Sequence, residues 1–399
     1  MRLTHLSLTN FRNFARLDVD VPAGPLLLVG DNAQGKTSLL EAVYFLACFS
    51  SFQTSTDRQL INFVEARNPL AVTRLVGDYD RNQSSHRLEV RLILEPTGAN
   101  GQRLRKEVLL DGVKKQPNDI IGHFNAVIFI PQMSQIIEGG PEERRRYINM
   151  ALSQAVPSYA GVLADYAQAL TQRNSLLKTL AENGGDARQL DPWDETLTRL
   201  GSRIIAWRVA AVQQIERLAA RIHHELTHGR EILRLSYQPS YDPLPRPNGQ
   251  IGMKLTTEID RSTIAAEDIR QGFQSRLLEL RSEELARGMT VIGPHRDELR
   301  FLGNGIDLGD YGSRGQMRTT LLALKLAEVS WMKERTGEWP VTLLDEVMAE
   351  LDVQRRTDLL KYVQAGGQVM LTATDAATFA EDFRAQAQVW HVSEGHIQR

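Results

Sequence analysis

The spacing of hydrophobic and polar residues changes twice along the chain and divides it into three parts. In residues 1–156, alternation and short apolar runs predict strands, such as the half-buried strand around Leu17 and Val19. Residues 157–287 follow a helical period, and residues 288–399 return to strands. We therefore predict an α/β fold with mixed sheets, assembled from both ends of the chain, with an α-helical lobe inserted between the two halves.

Individual elements follow from the same patterns. Apolar residues recur every three or four positions from Leu197 to Leu226, which predicts a helix of about eight turns with one apolar seam. A short coiled coil and a packed helical subdomain both fit this seam, and the subdomain is favoured because coiled coils sustain several heptads. The other predicted elements are strands at 25–29, 86–94, 103–110, 125–130, 341–344 and 368–373, helices at 38–44 and 267–287, and a proline-containing loop at 237–250.

One glycine-rich segment fits the phosphate-loop pattern GxxxxGK[ST] at every fixed position. Its residues are Gly30, Asp31, Asn32, Ala33, Gln34, Gly35, Lys36 and Thr37. In this pattern backbone N–H groups surround phosphate oxygens, the lysine reaches the β- and γ-phosphates, and the hydroxyl binds Mg²⁺. A predicted strand precedes the loop and a predicted helix follows it, so a chance glycine turn is disfavoured.

Two carboxylates, Asp345 and Glu346, end the predicted strand 341–344. Ligand chemistry in open α/β sheets lies at the carboxyl ends of strands. In phosphate-loop ATPases the first carboxylate helps to hold Mg²⁺ and a second orients the attacking water, so we predict those catalytic roles for Asp345 and Glu346 beside Lys36. The alternative is a pair of acids that opens a solvent-facing helix.

A second turn-to-helix segment, 311–328, also points to an anion. Tyr311 to Gln316 has the composition of a loop, and the leucines and alanines that follow have helical spacing. A helix N-terminus of this kind offers free N–H groups to a phosphate.

Composition limits the functional classes. Hydrophobic residues make up 42% and charged residues 24% of the chain, which is ordinary for a globular protein, and the net charge is −2. With Cys48 as the single cysteine, an intrachain disulfide is excluded, and the sequence has no apolar run as long as a membrane span. We therefore expect a cytoplasmic protein without membrane contact. Three local basic clusters stand out: Arg144 to Arg146, Lys114 with Lys115, and Arg103 with Arg105 and Lys106. They are candidates for DNA contacts or else solvated faces, and the first two are the ones we predict to bind DNA.

Taken in order along the chain, these motifs resemble the ABC-type ATPase heads of SMC proteins, and within that group the RecF family of bacterial DNA replication and repair proteins. The resemblance covers essentially the whole chain. It rests on residues 10–14, the phosphate loop with Leu39 to Ala42, residues 172–177, residues 293–297, residues 313–316 and the Asp345-Glu346 strand.

The resemblance implies ATP and Mg²⁺ as cofactors and a slow, DNA-dependent ATPase that dimerises on nucleotide. It implies sequence-independent binding to double-stranded DNA and gap junctions, and cooperation with RecR and RecO to load RecA. It adds Ser38, Arg12, Asn13 and Gln132 to the nucleotide site, with Gln132 also near Mg²⁺ beside Thr37 and Asp345. It places Ser313, Arg314, Gly315, Gln316 and Asp352 against the ATP held by a second molecule.

The chain departs from the family pattern at two functional positions. Ala33 replaces a usual glycine, which is a mild change if the backbone there is unstrained. The histidine that senses γ-phosphate in many ABC ATPases is missing after strand 368–373, where Thr372 and Thr374 lie, and this fits slow hydrolysis. Two other classes stay open: the ATP-binding subunit of a membrane transporter, and a scaffold that binds nucleotide without hydrolysis.

Overall fold

The computed structural model describes residues 1–97, 101–242, 264–351, 353–364 and 367–398. The strands of these residues are β1 (Arg2–Phe11), β2 (Phe14–Asp20), β3 (Leu26–Val29), β4 (Ala71–Arg81), β5 (Ser84–Thr97), β6 (Gly101–Leu110), β7 (Val113–Lys115), β8 (Ala126–Phe129), β9 (Leu233–Gln238), β10 (Glu298–Gly303), β11 (Ile306–Asp307), β12 (Val341–Leu344), β13 (Val369–Ala373), β14 (Gln388–Ser393) and β15 (His396–Gln398).

The α-helices of the same residues range from single turns to a helix of 36 residues. They are α1 (Lys36–Cys48), α2 (Pro117–Ile120), α3 (Gln135–Glu138), α4 (Pro141–Ala155), α5 (Tyr159–Asn183), α6 (Asp191–Leu226), α7 (Ala266–Arg287), α8 (Leu308–Tyr311), α9 (Arg314–Thr336), α10 (Val347–Glu350), α11 (Val353–Gln364) and α12 (Glu381–Gln386). Among the described helices, none is both long enough and apolar enough to cross a membrane.

The chain forms two compact units, and the first contains residues 1–133, 153–157 and 322–399. Its parallel sheet has the strand order β15-β14-β3-β13-β12-β8, with only the β14–β15 pair antiparallel. Strands β3 and β8 come from the N-terminal part of the chain and the other four from the C-terminal part. The prediction of a mixed α/β fold built from both chain ends is confirmed.

Helix α1 lies between this sheet and an antiparallel sheet of the order β2-β1-β4-β5-β6-β7, since it contacts β8 and β13 of the first and β4 and β5 of the second. Apart from Thr37 and Ser38, every residue of α1 is buried. A helix that is apolar on nearly all sides fits this position between two layers. The two residues that are only partly buried are Thr37, the last residue of the phosphate loop, and Ser38, which follows it.

The second unit contains residues 134–152 and 158–321. Helices α5, α6 and α7 pack against one another, and α6 also contacts β9 of a three-stranded sheet with the order β11-β10-β9. A buried ion-pair network links the helices, because Arg173 on α5 donates at 2.6 Å both to Asp194 on α6 and to Glu284 on α7. The packed helical subdomain, rather than an isolated coiled coil, is what this part of the chain forms.

Several element boundaries differ from the predictions. The predicted loop 237–250 is wrong at its start, because Tyr237 lies in β9 and pairs with Leu299 of β10, while residues 243–250 lie outside the described part. The second unit also includes residues 134–152 and 288–321, which the predicted helical lobe 157–287 does not. The three-part division at residues 156 and 287 stays a prediction.

Candidate nucleotide site

The phosphate loop follows directly after the buried strand β3 and leads into α1, as its pattern requires. Gly30 has φ 159°, and an added Cβ there would lie 2.2 Å from the carbonyl oxygen of Val392. Gly35 has φ 118°, and its Cβ would lie 2.5 Å from Nδ2 of Asn13. Both positions therefore require glycine, because other residues of the same chain approach them closely.

Ala33 adopts φ 65°, which is the left-handed region. The backbone at Ala33 is therefore strained, and the change from the usual glycine is not mild, because a left-handed alanine costs about 1 kcal/mol or more relative to glycine. Strain of this order at a ligand-binding loop is tolerated where the surrounding contacts fix the backbone.

Lys36 is 3% exposed, and its ammonium lies against the loop itself. Its Nζ donates to the carbonyl oxygens of Gly30 at 2.6 Å and Asp31 at 2.9 Å, and lies 3.9 Å from a carboxylate oxygen of Glu346. The first N–H groups of α1 have no carbonyl partner within the helix. One cation and these N–H groups together have the chemistry to bind a phosphate at this end of the candidate site.

Asp345, at the end of β12, joins the loop to the neighbouring strand. Its Oδ1 accepts hydrogen bonds from Thr37 at 2.9 Å and from Thr372 of β13 at 2.8 Å. Burial raises the pKa of Asp345, hydrogen bonds from Thr372 and Thr37 oppose the rise, and the charge of Glu346 adds to it. A hydroxyl and a carboxylate in contact are the hard oxygen ligands that Mg²⁺ prefers, so these residues fit that ion.

Glu346 follows in a left-handed conformation, φ 54°, with its side chain about half exposed at 46%. Its backbone N–H donates to Oγ1 of Thr372 at 2.9 Å. The hydroxyl of Thr372 therefore donates to one of the two carboxylate residues and accepts from the backbone of the other. Thr374, in contrast, is exposed just past the end of β13. Sequence reasoning missed this role of Thr372, because only the adjacency of β12 and β13 reveals it.

The remaining predicted nucleotide ligands lie around the loop, and they differ in how many hydrogen bonds they already make within the protein. Asn13 donates to the carbonyl oxygen of Gln34 at 2.8 Å, and its buried Oδ1 has no hydrogen-bond partner among the described residues. Arg12 instead forms a bidentate pair with the buried Glu41 of α1, at 2.7 and 2.8 Å. Gln132 is exposed after β8, which pairs with β12, so it follows the strand beside the one that carries Asp345.

A hairpin near the end of the described chain also holds the loop, and the sequence analysis missed it. The side-chain oxygen of Gln34 accepts from the N–H of Glu394 at 2.7 Å, and the N–H of Gly395 donates to the Gln34 carbonyl oxygen at 3.1 Å. These residues form the turn between β14 and β15, so the outer strands of the sheet fix the conformation of the loop.

Four of the predicted in-trans residues, Ser313 to Gln316, lie in the second unit at the start of α9. The N–H of Ser313 donates to Oε1 of Gln316 at 3.0 Å, and the N–H of Gln316 donates to Oγ of Ser313 at 3.2 Å. This reciprocal pair is a capping box of the Ser-x-x-Gln type. Ser313, Arg314 and Gly315 are exposed, while Asp352 lies outside the described residues.

The basic cluster on α4 splits into different environments. Arg144 is 9% exposed and forms a bidentate pair with Glu298 at 2.7 and 2.8 Å. Arg145 donates to the carbonyl oxygen of Asp297 at 2.9 Å, and Arg146 is exposed. Arg144 fits neither a DNA contact nor a solvated face, because its guanidinium is buried and paired, while DNA contacts of Arg145 and Arg146 stay a prediction.

The other basic pair lies at the edge strand β7 of the antiparallel sheet. Lys114 donates to Glu107 at 2.7 Å with its side chain 64% exposed, and Lys115 is exposed. Lys114 is thus partly neutralised, and both residues stay candidates for DNA contacts.

Two motifs that carried the family resemblance form buried networks in the second unit. Arg173 and Asn174 both contact Thr290, at 2.8 and 2.7 Å. Asp297 accepts from Arg208 at 2.9 Å, and from Tyr237 as well. These motifs therefore hold the second unit together.

Fold and site together define an ABC-type ATPase head with a phosphate loop and an Asp-Glu pair at the strand ends. A solved SMC head bound to the C-winged helix domain of ScpA shares this fold, with a TM-score of 0.50 and 16% identity over 100% of this chain and 96% of that one. A model of the RecF/RecN/SMC N-terminal domain matches residues 2–398.

Full-length relatives make the assignment narrower. The chain is 39% identical to the DNA replication and repair protein RecF of Chloroflexus aurantiacus over 408 residues, covering 100% of this chain and 99% of that protein. For RecF of Lacticaseibacillus paracasei the identity is 36%, with 100% of both covered. A solved structure of the recombination mediator RecF with ATP, from the RecFOR pathway, superposes with a TM-score of 0.82 at 30% identity, covering 100% of this chain and 97% of that one. The chain belongs to the RecF family.

Proposed function

We propose that this protein is an ATP-dependent DNA-binding protein of DNA replication and recombinational repair, which dimerises on ATP and hydrolyses it slowly. The observation that carries the proposal is the contact of Thr37 in the phosphate loop with Asp345, beside Glu346 and Lys36. In the cytoplasm such a protein binds double-stranded DNA and gap junctions and helps to load RecA, together with RecO and RecR. The RecFOR setting of the solved relative supports these partners.

Each residue of the proposed site has a separate task. Lys36 neutralises charge on the β- and γ-phosphates, and the loop N–H groups bind their oxygens. Thr37 and Asp345 would hold Mg²⁺, which neutralises phosphate charge during transfer. Glu346, exposed and beyond the reach of a direct hydrogen bond to Lys36, orients and deprotonates the attacking water.

The second half of the site is proposed to come from another copy of the chain. Ser313 and Gly315 are exposed at the N-terminus of a 23-residue helix, where N–H groups and the helix dipole favour a phosphate. The Ser313 hydroxyl accepts a hydrogen bond from Gln316 and keeps its own proton for a phosphate oxygen. ATP held at Lys36 of one copy then bridges to Ser313 of the other.

Full-length RecF relatives favour this function over the other two classes. A transporter subunit is not favoured, because the chain matches RecF proteins over 99 to 100% of their length. A non-hydrolysing scaffold has no need of Glu346, whose carboxylate is exposed beside the phosphate loop.

The proposal is tested by the ATPase rate with and without duplex or gapped DNA. We expect a slow rate that DNA raises in the wild-type protein. Lys36→Ala should lose nucleotide binding, whereas Glu346→Gln should bind ATP normally and hydrolyse it about 10²-fold more slowly or worse, because it keeps the side-chain size without the base. A rate that responds to lipid vesicles and not to DNA would contradict the proposal, and so would equal losses of ATP affinity in both variants.

A further inference from the structure

The side-chain amide of Gln316 makes two hydrogen bonds of opposite sense. Its Oε1 accepts from the N–H of Ser313 at 3.0 Å, and its Nε2 donates to Oε1 of Glu231 at 3.1 Å. If the amide were rotated by 180°, its NH₂ group would face the N–H of Ser313, and its oxygen would face the carboxylate of Glu231. Both contacts would then be repulsive. A carboxylate at position 231 therefore selects the orientation in which Gln316 caps the turn.

Glu231 is itself held by buried structure. Its Oε2 lies 3.7 Å from Nε2 of His223, which is 0% exposed near the end of α6. Thr320 of α9, about one turn after Gln316, has its hydroxyl 3.4 Å from the same ring nitrogen. The start of α9 thus contacts the end of α6 through Thr320 and His223, and Glu231 lies beside the same imidazole.

We propose that Glu231 is a positioning residue for the turn Ser313–Gln316. By fixing the amide of Gln316, it fixes the backbone of Ser313 and the direction of the serine hydroxyl, whose oxygen accepts from the N–H of Gln316. The turn is then ordered before it meets the γ-phosphate of an ATP held by a second copy, so less ordering entropy opposes binding. This inference rests on the proposed function, which supplies the second copy and its ATP.

Three substitutions at position 231 separate acceptor from donor. Glu231→Gln keeps an oxygen that accepts from Gln316, and should behave nearly as the wild type. Glu231→Lys presents only N–H donors and should reverse the amide or break its bonds. Glu231→Ala removes the acceptor without adding a donor and serves in place of the lysine variant if that variant does not fold. Glu182→Lys, at an exposed position of α5, is the control for charge.

The first measurement is hydrogen exchange of the amides of residues 313–317 in the nucleotide-free protein. Exchange should rise about tenfold or more in Glu231→Lys or Glu231→Ala, because a hydrogen bond to a charged group contributes at least that factor. It should rise much less in Glu231→Gln, which keeps a neutral acceptor, and stay at the wild-type rate in Glu182→Lys. Unchanged exchange in the lysine and alanine variants would overturn the inference, whatever a dimer assay gave.

The second measurement is ATP-dependent dimerisation, followed by light scattering, together with ATP affinity. We expect the dimer of Glu231→Lys to be about tenfold weaker or more at unchanged ATP affinity, since Lys36 and its loop are untouched. Full dimerisation of a variant whose turn exchanges rapidly would also overturn the positioning role. If the wild-type protein forms no dimer with ATP, the proposed function fails, and the exchange experiment still decides whether Glu231 orders the turn.

Discussion

At Asp345, stability and catalysis make opposite demands on one carboxylate. Its oxygen accepts from Thr37 and Thr372 in a buried position, 8% exposed, and burial raises its pKa despite these bonds. Because the pKa is higher in the folded than in the unfolded chain, the folded state binds more protons, and the stability that this gives is present at low pH and lost as pH rises through the folded pKa. At neutral pH the ionised group therefore lowers stability.

This sign leads to a prediction for Asp345→Asn. The variant should melt about 2 °C higher than the wild type at pH 7 in the absence of nucleotide, on the order of 1 kcal/mol, because a neutral amide is cheaper to bury. Its advantage should shrink as pH falls from 8 towards about 4, because the folded wild-type carboxyl takes up its proton at a raised pKa while the unfolded one is still ionised. Thermal melts between pH 4 and 8 measure this.

Asp165→Asn is the control, since Asp165 is exposed on α5. A lower melting temperature for Asp345→Asn at pH 7, or a difference that does not change with pH, would contradict the argument. The same variant should lose Mg²⁺-dependent hydrolysis, so the gain in stability comes with a loss of function.

At the scale of single residues, motif chemistry could be predicted and partners could not. Lys36 and Thr37 lie as their motif predicts, because the spacing within the phosphate loop is local. The contact of Thr37 with Asp345, which is 308 residues later, was expected only from the roles of such residues in phosphate-loop ATPases. Thr372 could not be assigned, because its contact with Asp345 depends on which strands are neighbours. The left-handed backbone of Ala33 could not be predicted either, because the residue type does not determine φ.

At the scale of elements, α4 shows why a basic run is ambiguous. Consecutive helical residues are rotated by about 100°, so Arg144 and Arg146 point about 200° apart. One is buried against Glu298 and the other is exposed. Burial is the largest single influence on Glu298 and would raise its pKa. The hydrogen bonds from Arg144 and from the Leu299 N–H, together with the charges of Arg144 and Arg300, outweigh it and hold that pKa below the usual value.

The two arginines should therefore respond differently to substitution. Arg146→Glu should weaken ATP-dependent DNA binding and reduce the slope of log K against log salt by about 1, because one phosphate contact is lost. Arg144→Gln should instead destabilise the protein by about 3 kcal/mol or less, since it leaves the mostly buried Glu298 without its cation. DNA titrations at several salt concentrations and thermal melts distinguish the two effects.

The result that counts against this division is also clear. If Arg146→Glu leaves both the affinity and the salt slope unchanged, the exposed arginine belongs to a solvated face and DNA binds elsewhere. The helix α4 itself was not among the predicted elements, because its charged first turns hide the apolar residues that follow.

At the start of α9, by contrast, the sequence pattern is clear but indicates two roles, of which only one was predicted. Ser313 and Gln316 stand three apart before an apolar helix, which is the sequence signature of a capping box. The sequence analysis interpreted the same residues as an anion site. In the structure they cap the helix, and an exposed serine hydroxyl remains for a phosphate.

At the scale of the whole molecule, complementation tests whether the two half-sites come from different copies. One protein carries Lys36→Met and another carries Ser313→Arg, and each alone should fail to dimerise with ATP. In a mixed dimer one site pairs an intact Lys36 with an intact Ser313. Mixing should therefore restore part of the ATP-dependent dimer, measured by crosslinking or light scattering.

Mixing two preparations of the same variant is the matched control and should restore nothing. If the mixture of different variants also gains no dimer, the two half-sites do not complete each other in this way. ATPase activity is the poorer measure, because both sites of a dimer must be intact if they hydrolyse together.

The overall architecture was predictable as a class, and the order of its strands was not. Alternating and apolar runs indicated a fold built from both chain ends, which the parallel sheet confirms. The insertion of β3 between β13 and β14 depends on long-range pairing, for which no local pattern exists. Family resemblance supplied the fold where periodicity could not.

The position of β3 also has a consequence for folding of the protein during its synthesis on the ribosome. Both strands that pair with β3 are encoded roughly 340 or more residues after it. At translation rates of about 5 to 20 residues per second, the four apolar residues of β3 wait roughly 20 to 70 seconds for a neighbour. A nascent chain therefore carries the entire phosphate-loop motif long before it has the strands and the hairpin turn that shape the loop. Until β13, β14 and the turn that contacts Gln34 have been synthesised, the loop lacks the contacts that fix its conformation.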